Sequence, residues 1–205
     1  LTLGGKGTLR AFNVGDGSLI WKQRLKSEDQ DMVYSGAIAS NLESIFVALG
    51  SGELICLRVL DGKEVWRTST KNPLRGGPTV SGGRVFVVTI DNKTLSFDAK
   101  TGKLLWSHAG TTETAALIGG ASPAVKDNVV IVTYSSGELF ALKTETGRLF
   151  WADHLGPNNS SNGVSNIADI NGSPVIDRSL VFSISNSGRL TAIDFKTGRR
   201  VWERS

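Results

Sequence analysis

Short apolar runs, separated by turns rich in Gly, Asn and Asp, cover the chain from end to end. Residues 84–90 form a β-branched apolar run of strand length, and residues 94–97 alternate in polarity as a half-buried strand does. The glycine-containing turns at 81–83 and 100–103 tolerate positive φ and reverse the chain. No segment has an apolar stripe at helical spacing with caps. The pattern therefore predicts an all-β protein with four short antiparallel strands in the unit 76–110.

One segment of this pattern recurs five times, and in every copy a glycine precedes a tryptophan by four residues. The glycines are Gly17, Gly62, Gly102, Gly147 and Gly198, and the tryptophans are Trp21, Trp66, Trp106, Trp151 and Trp202. Tryptophans spaced 40–51 residues apart indicate a repeat architecture. We expect these tryptophans to be structural and to lie between neighbouring units, with each turn glycine permitting their close approach.

A four-stranded meander with two apolar faces must stack against copies of itself, and radial stacking produces a β-propeller. The sequence predicts a single partial β-propeller over residues 1–205. Its units are a half blade at 1–26 and blades at 35–70, 76–110, 121–155 and 172–205. We expect an open arc with covered ends, or a ring completed by further residues. A WD40 propeller fits less well because no tryptophan precedes an Asp, and an immunoglobulin-like sandwich needs a second cysteine.

Composition adds little that is specific. The formal net charge of +4 comes from Lys and Arg scattered through all units, without the basic, aromatic-rich cluster that nucleic-acid binding favours. The one cysteine, Cys56, takes the strand position that Ala holds in three other units, which indicates a buried thiol. The residues contain no signal peptide, lipidation motif or transmembrane run.

Candidate catalytic and metal-binding residues do not form a recognisable constellation. His108 and His154 each follow a repeat tryptophan closely, and we interpret both as solvent-facing residues of outer strands. No Ser lies in a nucleophile-elbow pattern. The acidic pairs at 91–92, 127–128 and 177–178 fall at turns, where Asp and Asn bond to the backbone. We expect no enzyme activity, no cofactor and no metal site.

The segment 192–202 (AIDFKTGRRVW) resembles the tryptophan-docking motif of PQQ-type propeller repeats. Within that superfamily the chain is most similar to the BamB family of outer-membrane β-barrel assembly lipoproteins, through residues 117–125, 136–142 and 167–176. This resemblance implies a non-enzymatic scaffold at the periplasmic face of the outer membrane. It also implies a BamA-like partner and membrane association only through a lipid anchor absent from these residues.

The resemblance further implies two partner-binding loops, one unit apart. The Asp-x-Asp loop of the family carries over to Asp169 and Asn171, and the Leu-x-Leu-Arg-Gly loop carries over to Leu117, Ile118 and their neighbours. Ile118 stands where the family has arginine. A closer local match, Leu-Arg-Gly at 74–76, lies one unit earlier.

The connections between units emerge on one rim and vary in length, as recognition loops on a rigid scaffold do. We therefore expect Leu117, Ile118, Asp169 and Asn171 to meet on this rim, and Asp169→Ala to weaken partner binding without changing thermal stability. The alternative hypothesis is a PQQ-binding or ligand-sensing propeller, from a quinoprotein dehydrogenase or a receptor. The single cysteine argues against it, because quinoprotein dehydrogenases resemble one another in an adjacent cysteine pair.

Overall fold

A computed structural model of the chain describes residues 1–5, 7–25, 36–112, 119–155 and 169–204. The described residues form antiparallel sheets in which strands that are consecutive in sequence pair with one another. The first sheet contains β1 (Thr2–Gly4), β2 (Thr8–Phe12) and β3 (Leu19–Arg24). The second contains β4 (Gly36–Ser40), β5 (Ser44–Leu49), β6 (Glu53–Arg58) and β7 (Glu64–Ser69).

Three further sheets repeat the same meander. The third contains β8 (Thr79–Ser81), β9 (Arg84–Val88), β10 (Lys93–Asp98) and β11 (Leu104–Ala109). The fourth contains β12 (Ala124–Lys126), β13 (Val129–Thr133), β14 (Glu138–Lys143) and β15 (Leu149–His154). The fifth contains β16 (Val175–Asp177), β17 (Leu180–Ile184), β18 (Leu190–Asp194) and β19 (Arg200–Arg204).

The first strands of neighbouring four-stranded sheets, β4, β8, β12 and β16, contact one another in sequence order. Buried apolar clusters lie between each pair of neighbouring sheets. The chain is therefore a partial β-propeller of four-stranded antiparallel blades, which confirms the predicted fold class. In the described ranges no helix is long and apolar enough to cross a membrane.

The first sheet has three strands where the sequence predicts a half blade. β1 pairs with β2, and β2 carries Ala11 opposite Trp21, the position that the third strand holds in the other sheets. The first sheet therefore corresponds to the last three positions of a blade.

Each tryptophan pairs across the sheet with a small residue, and the strand register shifts directly after that pair. The five small partners are Ala11, Cys56, Ser96, Ala141 and Ala192. A β-bulge at this point increases the local twist and re-aims the side chain. At the first four tryptophans the indole is turned toward the next sheet in the chain.

Four of the tryptophans dock on the following sheet through one repeated contact. Their Nε1 groups donate to backbone oxygens 2.8–3.1 Å away, Trp21 to Val59, Trp66 to Ala99, Trp106 to Thr144 and Trp151 to Phe195. A Cβ atom at Gly62, Gly102, Gly147 or Gly198 would lie 2.5–2.7 Å from the docked ring. Each of these glycines therefore makes room for the tryptophan of the preceding blade, and not for the tryptophan four residues after it as the sequence led us to expect.

Candidate functional site

The inter-blade connections emerge at one end of the sheets, which we call the connection rim. Its described parts are Leu25, 70–78, 110–112, 119–123, Leu155 and 169–174. The turns between the second and third strands of each blade lie on the same rim, whereas the turns at 41–43 and 127–128 lie on the opposite one. This placement follows from the antiparallel order of the strands.

Connection 70–78 is fixed to both blades that it joins, the second and the third. The hydroxyl of Thr70 donates to the Gly52 carbonyl at 2.9 Å, and the Arg75 amide donates to the Val88 carbonyl at 2.8 Å. Leu74 forms an isolated β-bridge with Thr89. The backbone of Arg75 therefore extends the third sheet, while its side chain contacts later connections.

The Arg75 side chain forms the centre of a buried polar cluster on this rim. Its Nη2 pairs with the Asp169 carboxylate and donates to Asn171 Oδ1 at 2.9 Å, while Nε donates to the Gly119 carbonyl at 3.4 Å. The exposed fraction is 2% for the Arg75 side chain and 0% for that of Asp169. Three successive connections thus meet at one guanidinium group.

The backbone around Asp169 is anchored to two blades. Its carbonyl accepts from the Asn186 amide at 2.8 Å, and the next amide, of Ile170, donates to the Tyr134 carbonyl at 3.4 Å. Ile170 is fully buried in the apolar cluster between the fourth and fifth sheets. The backbone of Asp169 is therefore held by the fourth and fifth blades, and Arg75 covers its carboxylate.

A second set of contacts links the starts of the first strands along the same rim. The Gly77 amide donates to Ser122 Oγ at 3.1 Å, and the Ser122 amide donates to Ser173 Oγ at 3.0 Å. A cavity of about 270 Å³ lies beside these contacts, with Arg75 and Gly120 in its wall. The rim is thus a continuous, hydrogen-bonded surface from the third blade to the fifth.

Of the residues predicted to bind a partner, Asp169 and Asn171 lie together on this rim, whereas Leu117 and Ile118 lie outside the described residues. Asn171 is half-buried, but the carboxylate of Asp169 is not exposed to solvent. Losing one partner of a buried ion pair costs about 3–5 kcal/mol. We therefore expect Asp169→Ala to lower the free energy of unfolding, in contrast to the nearly unchanged stability that the sequence alone led us to expect.

Arg75 is the residue that the sequence analysis did not assign to the site. The available signal was the Leu-Arg-Gly triplet at 74–76, one unit earlier than the family's loop. The structure brings this triplet to Asp169, 94 residues away in sequence. A guanidinium group accordingly lies beside Asp169 although Ile118 replaces the family's arginine.

A separate polar group on the same rim involves Glu138. Its carboxylate accepts from the Thr111 amide at 2.8 Å, from Thr111 Oγ1 at 2.9 Å and from Ser136 Oγ at 2.6 Å. Burial acts to raise the pKa of Glu138, but these hydrogen bonds outweigh it and the pKa is lowered. This arrangement ties connection 110–112 to the fourth blade.

The histidines and the cysteine occupy structural positions. His108 is half-buried and packs edge-on against Phe140, with a pKa lowered by burial, whereas His154 is exposed. Cys56 is a free, buried thiol whose pKa is raised by burial. In the described part of the chain, no three His, Cys, Asp or Glu residues are grouped so that they could hold a metal ion.

The turns that carry acidic pairs are geometrically strained positions. Asn92, Asp127 and Arg178 have φ values between 50° and 56°. Asn and Asp tolerate this left-handed conformation better than most residues, which explains their presence without a chemical role at the first two positions.

A family model described as "Outer membrane protein assembly factor BamB" matches residues 5–205. The chain belongs to the BamB family. It is 25% identical over 205 residues to the outer membrane protein assembly factor BamB of Yersinia pestis, covering 97% of this chain and 52% of that protein. The chain thus spans about half the length of the curated relatives it matches.

Solved structures agree on the propeller fold. BamB from Moraxella catarrhalis superposes with a TM-score of 0.80 at 22% identity, over 98% of this chain and 67% of that one. A quinohemoprotein alcohol dehydrogenase from Pseudomonas putida superposes with a TM-score of 0.67 at 17% identity, over 82% of this chain and 33% of that one. At these identities the likeness concerns the fold alone.

Proposed function

We propose that this chain is part of a non-enzymatic scaffold protein of outer-membrane β-barrel assembly, and that its connection rim binds a BamA-like partner. The observation that carries the proposal is the family match over residues 5–205. The proposed location is the periplasmic face of the outer membrane, where a lipid anchor of the parent protein would hold it.

The rim supports this proposal because it offers a fixed surface rather than a reaction centre. Asn171 and Ser173 are partly or fully exposed, and both are held by contacts to earlier connections. Preorganised polar groups lose little conformational entropy on binding. The contacts on this rim join one connection to another, so binding is the activity that the geometry favours.

The geometry also restricts how each predicted contact residue acts. Asp169 is covered by Arg75, so its proposed role is to hold the loop, while Asn171 is available at the surface. We expect the direct contact to be made by Asn171, Ser173 and neighbouring backbone groups.

The proposal is tested by measuring the affinity of the full-length parent protein for the purified periplasmic region of its own BamA-type protein. Asn171→Ala should weaken binding about tenfold, as expected for loss of one good anchor. Asn128→Ala is a matched control, because Asn128 is exposed at a turn on the opposite rim. Absence of measurable binding by the wild type, or equal losses in the two variants, would refute the proposed docking face.

A further inference from the structure

Arg75 contacts connections that follow it by one and by two blades, and its own contacts are unlike those of the other charged residues. In the described ranges every other ion pair joins side chains that are each at least 16% exposed. The pair formed by Arg75 and Asp169 is 2% and 0% exposed. Exposed pairs contribute little to stability, whereas removing one partner of a buried pair is strongly destabilising.

The shape of the guanidinium group suits this linking role. Nη2 donates to Asp169 and Asn171, and Nε donates to the Gly119 carbonyl. One rigid, planar guanidinium group therefore contacts two connections at once. A lysine ammonium lacks the fixed spacing between donors. A lysine could retain the charge attraction to Asp169 but could not reproduce the three directed contacts.

The backbone around Arg75 is packed closely enough to require glycine. A Cβ atom at Gly120 would lie 2.3 Å from Arg75 Cγ, and one at Gly76 would lie 2.4 Å from the Ala121 carbonyl oxygen. The Arg75 side chain therefore lies against the 119–121 backbone before it reaches Asp169. Its Nη1 has no hydrogen-bond partner among the described residues, so the hydrogen-bonding capacity of the guanidinium group is not fully used.

These contacts set the spacing between the two connections assigned to partner binding. Gly119 directly follows the segment that contains Leu117 and Ile118, and Asn171 belongs to the other predicted loop. Both are bonded to the same guanidinium group. A change at Arg75 would consequently alter the relative position of segments 119–123 and 169–174 while leaving their exposed groups intact.

We propose that Arg75 is the positioning residue of the partner-binding rim: it does not touch the partner, and it holds the described segments 119–123 and 169–174 at the separation that binding requires. This inference rests on the proposed function. It adds that affinity depends on a buried residue in an earlier connection, to which no partner-binding role has been assigned.

The test must separate positioning from stability, and the double variant Arg75→Met/Asp169→Leu does so. Replacing a buried ion pair by apolar residues of similar volume is often neutral for stability. The variant loses the contacts to Asn171 and Gly119 but keeps all exposed rim groups. With a urea midpoint close to the wild-type value, the full-length double variant should bind the BamA-type periplasmic region about tenfold more weakly. Wild-type affinity in this stable variant would overturn the proposal.

A second measurement decides the question if the double variant does not fold or if the wild type does not bind the partner. Hydrogen exchange is compared between the wild type and Arg75→Lys at the amides of Ser122, Ile170 and Asn186, which mark the two connections. We expect exchange to be about tenfold faster at these amides in the variant. Arg200→Lys is the control, because Arg200 also makes several contacts but at an exposed site.

Unchanged exchange at these amides in Arg75→Lys would overturn the positioning role whatever the binding result. Conversely, faster exchange together with no binding by the wild type would reject the proposed function and leave the role of Arg75 in fixing the connections intact.

Discussion

Docking of a tryptophan on the next blade should be the largest single contribution to cohesion between blades, and Trp106→Ala measures it. Trp106 is 9% exposed, donates to the Thr144 carbonyl at 2.8 Å and lies against Gly147. Replacing a buried Trp by Ala typically lowers the free energy of unfolding by about 3–5 kcal/mol. We expect a value near the upper end of this range in the 205-residue chain.

Trp202→Ala is the matched control. Trp202 packs on Phe182 at 6.0 Å between ring centroids, much as Trp106 packs on Phe86 at 5.8 Å. However, Trp202 is 37% exposed and its indole donates to no described residue. The two variants therefore lose similar packing within a blade, and only Trp106→Ala loses docking between blades.

The expected difference follows from area and hydrogen bonding. A tryptophan buries about 200 Å², so exposures of 9% and 37% differ by roughly 55 Å², or about 1.4 kcal/mol at ~25 cal/mol per Å². The lost hydrogen bond adds about 1 kcal/mol. Urea titration of both variants should give unfolding free energies that differ by about 2–3 kcal/mol. Equal values within about 0.5 kcal/mol would refute the assignment of Trp106 as an inter-blade anchor.

Three further predictions use the same assay or simple chemistry. Gly147→Ala should lower the free energy of unfolding by about 1–3 kcal/mol more than Gly17→Ala. The two glycines have similar φ values, +68° at Gly147 and +72° at Gly17, but only Gly147 has a docked ring within 4 Å. Equal losses would exclude a steric role for the ring. The lowered pKa of Glu138 means that its contribution to stability is present above its ordinary value of 4.5 and is lost as pH falls through the folded-state value. Glu138→Gln should therefore reduce the loss of stability between about pH 5 and pH 3, and an unchanged pH dependence would contradict this. The Cys56 thiol is 1% exposed with a raised pKa, so it should react with a disulfide reagent only after unfolding; rapid reaction in the native protein would show the burial to be wrong.

The repeated elements were predictable because they depend on local pattern. A tryptophan four residues after a turn glycine marks the last strand of each unit, and at four successive interfaces this tryptophan docks on the turn glycine of the next blade. The small residue opposite each tryptophan was visible at Cys56 and its alanine equivalents. The β-bulge beside it was not, because a register shift leaves no mark in the hydrophobic pattern.

The centre of the candidate site was less predictable because it depends on which connections meet. Asp169 lies in a polar stretch of sequence, for which solvent exposure is the natural expectation. Its burial requires a cationic partner, and that partner is 94 residues earlier in a different blade. Pairing of this kind follows from the radial arrangement of the sheets, so the sequence pattern draws attention to the Leu-Arg-Gly triplet at 74–76 but does not pair Arg75 with Asp169.

The most direct test of the proposed docking face is the hydrogen-exchange footprint of the partner on the full-length protein. Binding of the BamA-type periplasmic region should slow exchange at 119–122 and 169–173 on the connection rim. Exchange at the turns 41–43 and 127–128 on the opposite rim should not change. Protection of those opposite turns, with the connection rim unaffected, would contradict the account.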